Sequence, residues 1–129
     1  MATWDDVRRI VLDLPETSER TSRGLARWQV KEKLLTWERP LRQPDFQALG
    51  DAAPDGDILA VWVEDLGVKE ALLYDDPDVF FTTPHFDGHA VVLIRLAAIQ
   101  VDELEELIIE AWLDRAPKRV AAEYLKAEE

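Results

Sequence analysis

A chain of 129 residues, 47% of them hydrophobic, fits one domain of ordinary size that buries its own core. It contains no cysteine, which excludes thiol nucleophiles, cysteine zinc sites, iron–sulfur clusters and disulfides. Its formal net charge of −12 repels nucleic acid and anionic membranes when taken globally, and no stretch approaches the roughly 18 to 20 consecutive apolar residues of a membrane span.

The first element is a helix. Thr3 is placed as its N-cap with Asp6 three residues on, and Trp4, Val7, Ile10, Val11 and Leu14 recur at helical spacing until Pro15 ends it. After a polar stretch, Arg27 to Arg39 reads as a hairpin turning at Glu32-Lys33. That register sets Trp28 opposite Trp37 and Val30 opposite Leu35 on one face, with Arg27 meeting Glu38 and Gln29 meeting Thr36 on the other. Pro40, Pro44, Gly50, Pro54 and Gly56 punctuate a connection in which Asp45 to Leu49 forms one helical turn.

Ile58 to Val63 reads as a buried strand, and Leu66 to Tyr74 as a short helix with Asp65 as N-cap. Asp78 to Leu96 is a strand, loop, strand unit, in which Val79-Phe80-Phe81 and Val91 to Leu96 flank Thr82 to His89. From Asp102 the period changes. Leu104, Leu107, Ile108, Ala111 and Trp112 make a helical stripe begun by an Asp102/Glu105 cap, and Pro117 starts a last helix with Val120, Ala121, Tyr124 and Leu125 facing inward. One helix, several consecutive strands and closing helices predict a single α+β domain over 1–129: a twisted antiparallel sheet of about five strands, covered on one face. The five tryptophans fall at core positions.

Charge is unevenly spread. Between residues 20 and 42, Arg20, Arg23, Arg27, Lys31, Lys33, Arg39 and Arg42 face only Glu32 and Glu38, whereas the acid excess lies wholly after residue 50. Arg20, Arg23 and Arg27, with Lys31 and Lys33 at the hairpin tip, are therefore candidates for a basic stripe that takes phosphate or carboxylate. A face balanced by Glu16, Glu19 and Glu38 is the competing reading. His85, Asp87 and His89 have a spacing at which imidazole and carboxylate can converge on a metal, although Asp87-Gly88 also reads as a plain turn.

Enzyme signatures are mostly absent. The five glycines form no dinucleotide or phosphate loop, and Ser18 and Ser22, the only serines, lie in no nucleophile elbow. The start of the chain shows no basic segment followed by an apolar one, so a soluble cytoplasmic protein with no membrane partner is the expectation.

The order of these features resembles the MmcQ/YjbR-like family: a first helix ending in Leu14-Pro15-Glu16, a hairpin carrying Trp28 and Trp37, and Asp76-Pro77-Asp78 before Val79-Phe80-Phe81. Thr83-Pro84-His85-Phe86 and the Asp102-Glu103-Leu104 helix start complete it. The resemblance covers nearly the whole chain. It implies a compact α+β domain related to the frataxin-like CyaY fold, and a role in DNA binding. The expectation is a binding or interaction module without a cofactor, using Arg20, Arg23, Arg27, Lys31, Lys33, His85, Asp87 and His89. Its alternatives are a small-molecule or metal site at the His85 to His89 loop, and a homodimer or protein-docking domain.

Overall fold

In the computed structural model, which describes residues 1–128, helix α1 spans Trp4–Leu12. Thr3 caps it reciprocally: its backbone N–H donates to Asp6 Oδ2 at 2.9 Å, and its Oγ1 accepts from the Asp6 N–H. The apolar stripe Val7, Ile10 and Val11 is buried.

Three strands follow in a meander: β1 (Thr17–Ser22), β2 (Leu25–Val30) and β3 (Lys33–Glu38). The first of these corrects the sequence reading, which leaves residues 17 to 22 as a polar stretch. Thr-Ser-Glu-Arg-Thr-Ser has no apolar alternation because β1 is an edge strand with a mostly exposed surface. Its turn is nevertheless chemically defined. Arg23 and Gly24 have φ of 53° and 79°, the double positive φ that closes a two-residue hairpin.

The β2–β3 hairpin is also corrected. Its turn lies at Lys31-Glu32, with Lys31 in the left-handed region at φ 55°, and a bulge falls between Trp28 and Gln29. Arg27 therefore stands opposite Trp37, Trp28 opposite Thr36, Gln29 opposite Leu34 and Val30 opposite Lys33. A register displaced by one residue exchanges faces, so Trp28 and Trp37 lie in separate apolar clusters instead of sharing one.

Helix α2 (Gln43–Leu49) crosses the Pro-rich connection, and β4 (Ile58–Trp62) and α3 (Leu66–Asp75) follow; Asp65 caps α3 by accepting from the Val68 N–H at 2.8 Å. The short β5 (Phe80–Phe81) and β6 (Val91–Arg95) enclose the histidine loop, and α4 (Val101–Arg115) and α5 (Lys118–Ala127) close the chain. No side chain caps α4, which begins after Gln100; Asp102 instead accepts from the Glu103 N–H. Leu125, expected inside, is 51% exposed, so α5 packs through Val120, Ala121 and Tyr124.

The strands form one antiparallel sheet of six, one more than expected, in the order β1-β2-β3-β4-β6-β5. Period-two alternation divides its residues. Trp28, Leu59, Val61, Val92 and Ile94 pack with α1, α3, α4 and α5 in the main core. Trp112 is fully buried there, and its indole N–H donates to the Pro15 carbonyl at 3.0 Å, tying α4 to the end of α1. Ile58, Ala60 and Leu93 point the other way, into a smaller cluster with Phe81, Phe86, Trp37 and Leu49. The second face is thus covered by α2 and the Phe86 loop over β4, β6 and β5, and is more open over β1 and β2.

Candidate anion-binding site

The open part of that second face carries the arginines. Arg20 on β1 is directly opposite Arg27 on β2, and Arg27 is opposite Trp37 on β3, which makes a row across three strands. Arg23, in the hairpin turn, and Arg39 and Arg42, in the segment after β3, join Arg27 and Trp37 around a cleft of about 290 Å³.

Arg39 is the fixed member. Its side chain is 5% exposed, pairs with Asp45 at 3.1 Å, lies over the Phe86 ring at 5.3 Å and donates to the Pro40 carbonyl. Burial alone would raise the Asp45 pKa. The Arg42 backbone N–H, at 2.8 Å, and the Arg39 charge outweigh it and hold the carboxyl below its ordinary range. Glu38, the one acid lining the cleft, accepts from the Ala26 N–H at 3.0 Å. Among the described residues, Arg20, Arg23, Arg27 and Arg42 form no ion pair. The acids named as their balance are engaged elsewhere: Glu19 binds Arg8 at 2.8 Å and the Trp28 indole N–H at 2.7 Å, and Glu16 binds Lys31 at 3.2 Å.

The expected site is therefore brought together only in part. Arg20, Arg23 and Arg27 gather near the first turn, whereas Lys31 and Lys33 sit at the opposite end of β2, roughly 17 to 20 Å away along a six-residue strand. The histidine loop does not converge on a metal. His85 packs edge-on against Phe86 at 4.8 Å and His89 against Trp62 at 6.4 Å, and among the described residues no group of three or more His, Cys, Asp or Glu could hold an ion.

Lys69 organises the loop instead. Its buried ammonium, on α3, donates to the Phe86 carbonyl at 2.7 Å and the His89 carbonyl at 2.8 Å. Burial lowers its pKa, against the opposing charge of Asp87. Lys69 gave no sequence signal, because a lysine between apolar helical residues reads as an exposed position. Arg39 and Arg42 stood in the basic window, but only the fold of the Pro40 segment carries them to the cleft.

A family model described as YjbR matches residues 12–113. The chain belongs to the YjbR family. Two relatives described as uncharacterized proteins, from Mycobacterium bovis and Mycobacterium tuberculosis, are 56% identical to this YjbR protein over 128 residues, with 97% of each chain covered. The fold is similar to the crystal structure of Deinococcus radiodurans protein DR2400, a DUF419 domain, with a TM-score of 0.65 at 20% identity over 88% of this chain and 78% of that one. No helix among the described residues is long and apolar enough to cross a membrane.

Proposed function

We propose that this YjbR protein is a binding module that takes the phosphate backbone of a DNA strand in the arginine cleft. One observation carries the reading: Arg20 and Arg27 are directly opposite on adjacent strands and, among the described residues, neither forms an ion pair, in a protein whose formal net charge is −12. Like charges directly opposite are destabilising, and an acidic chain has carboxylates to spare for neutralising them. A site that must meet an anion explains why they stay unpaired.

The other features fit the same ligand. Guanidinium forks match phosphate oxygens, and the half-buried Trp37 beside Arg27 offers a ring on which an unpaired base can stack. The family's DNA-binding association points the same way. The edge strand does not favour a homodimer. Two-fold antiparallel pairing of β1 with its own copy sets a residue opposite itself, so its central registers oppose Glu19 to Glu19 or Arg20 to Arg20.

The test is fluorescence anisotropy of a labelled 20-nucleotide single strand and the matching duplex at 50 and 200 mM salt. Binding that weakens steeply with salt and is lost in Arg27→Gln supports the cleft. Absence of binding at 50 mM, or binding indifferent to Arg27→Gln, overturns it.

A further inference from the structure

A second cavity lies at the far end of the sheet, separate from the arginine cleft, and it explains the Lys31 and Lys33 that the cleft leaves out. Its volume is about 530 Å³. Lys31, Glu32 and Lys33 of the β2–β3 turn form one wall and Arg115 and Pro117 at the α4–α5 junction the other, with the fully buried Val30 behind them. Lys31 is paired with Glu16, whereas Lys33 and Arg115 form no ion pair among the described residues.

Arg115 is the informative residue. Its guanidinium lies over the Trp62 ring at 5.0 Å, so its face is engaged, and its Nε–H is buried with no acceptor. Burial lowers its pKa against the opposing charge of the neighbouring Asp114. A buried unsatisfied donor on a cation is costly, and such groups call for an explanation. The α5 N-terminus adjoins the cavity at Pro117 and has no side-chain cap, so its first-turn N–H groups add to the positive side. Against these stand Glu32 in the wall and Asp114 beside Arg115.

We infer that this cavity binds a small organic anion, with a carboxylate or phosphate head on Arg115 and Lys33 and an apolar body against Pro117 and the aliphatic stems of Lys31 and Lys33. The dimensions suit a molecule of that kind, and the planar fork of arginine suits either head. The site is independent of the arginine cleft.

The test is two-dimensional amide NMR of the full chain titrated with benzoate, phenyl phosphate and the uncharged benzyl alcohol. The expected result is saturable shifts at Val30, Lys33, Arg115 and the Trp62 indole with benzoate or phenyl phosphate, and none that saturates with benzyl alcohol. Whichever anion binds tighter names the head group. Arg115→Gln should weaken binding at least tenfold, and Lys33→Gln, an exposed change that leaves Trp62 covered, several-fold. Arg27→Gln should change nothing here, which separates this site from the DNA reading. Shifts confined to other residues, equal response to the alcohol, or an affinity unchanged in Lys33→Gln and Arg115→Gln would overturn the inference.

Discussion

Arg20→Glu separates folding from binding, because the two should move in opposite directions. Arg20 stands directly across from Arg27, and the acid nearest in sequence, Glu19, points to the helix-covered face, where it meets Arg8 and Trp28. Replacing a like-charge pair by an opposite-charge pair is worth roughly 0.2 to 1 kcal/mol, and the exposure of Arg20 places the gain in the lower half of that range. For a domain of this size the melting temperature should rise by about 1 to 3 °C. Binding should fall at the same time. Four unpaired arginines on a single strand give a slope of log affinity against log salt near −2.8, roughly a fiftyfold loss between 50 and 200 mM. With Arg20 reversed, at most three contacts remain, and the same interval should cost no more than about twentyfold, from a weaker starting affinity. Differential scanning fluorimetry and anisotropy on one preparation read both quantities. A lower melting temperature together with an unchanged salt slope would refute the reasoning, since it would show Arg20 stabilising the fold and absent from the ligand.

Asp45→Asn leaves Arg39 buried without its carboxylate and should cost about 3 to 5 kcal/mol in urea unfolding. Because the Asp45 pKa is lowered in the fold, its contribution is complete above the unfolded carboxylate value and is lost as pH falls through the folded one. The stability difference between wild type and Asp45→Asn should accordingly shrink in acid; a constant difference down to pH 2 would count against the pair. Lys69→Met keeps the stem but strands the His89 carbonyl, at about 1 to 3 kcal/mol, and removes one of the two donors to the Phe86 carbonyl, which still accepts from the His89 N–H. Hydrogen exchange of the 87–90 amides should accelerate with it, and unchanged protection would show that the ammonium does not hold the loop.

Strong periodicity and capping were legible in the sequence. Thr3 and Asp6, the Val7-Ile10-Val11 stripe, the Asp65 cap and the strand either side of the histidine loop could be read because each rests on local chemistry repeated over a turn or two. Edge structure was not. β1 buries too little to show alternation, and its Arg23-Gly24 turn was the one available sign. The second hairpin turns one residue earlier than its residue types suggest, because Lys31 adopts a left-handed backbone that glycine or asparagine ordinarily marks. The same holds for the site: its basic residues stand out in the sequence as an unbalanced group, but their division between two ends of β2, and the recruitment of Arg39 and Arg42, depend on tertiary placement.

Adjacent residues of β2 serve opposite masters: Arg27 looks into the cleft, while Trp28, one position on, stacks with Trp4 in the main core. Core and cleft are therefore written in a single reading frame along the strand. Deleting one residue between Gly24 and Arg27 would rotate an arginine into the space of an indole and push the indole into water. The fold would lose a central packing residue in the same step as the site loses a cation. Point substitutions at outward positions such as Arg20 are expected to change the cleft at little cost to folding, whereas changes of length in β2 cannot do so. Variation of this surface is confined to what each outward position carries, with the spacing between positions held by the core behind it.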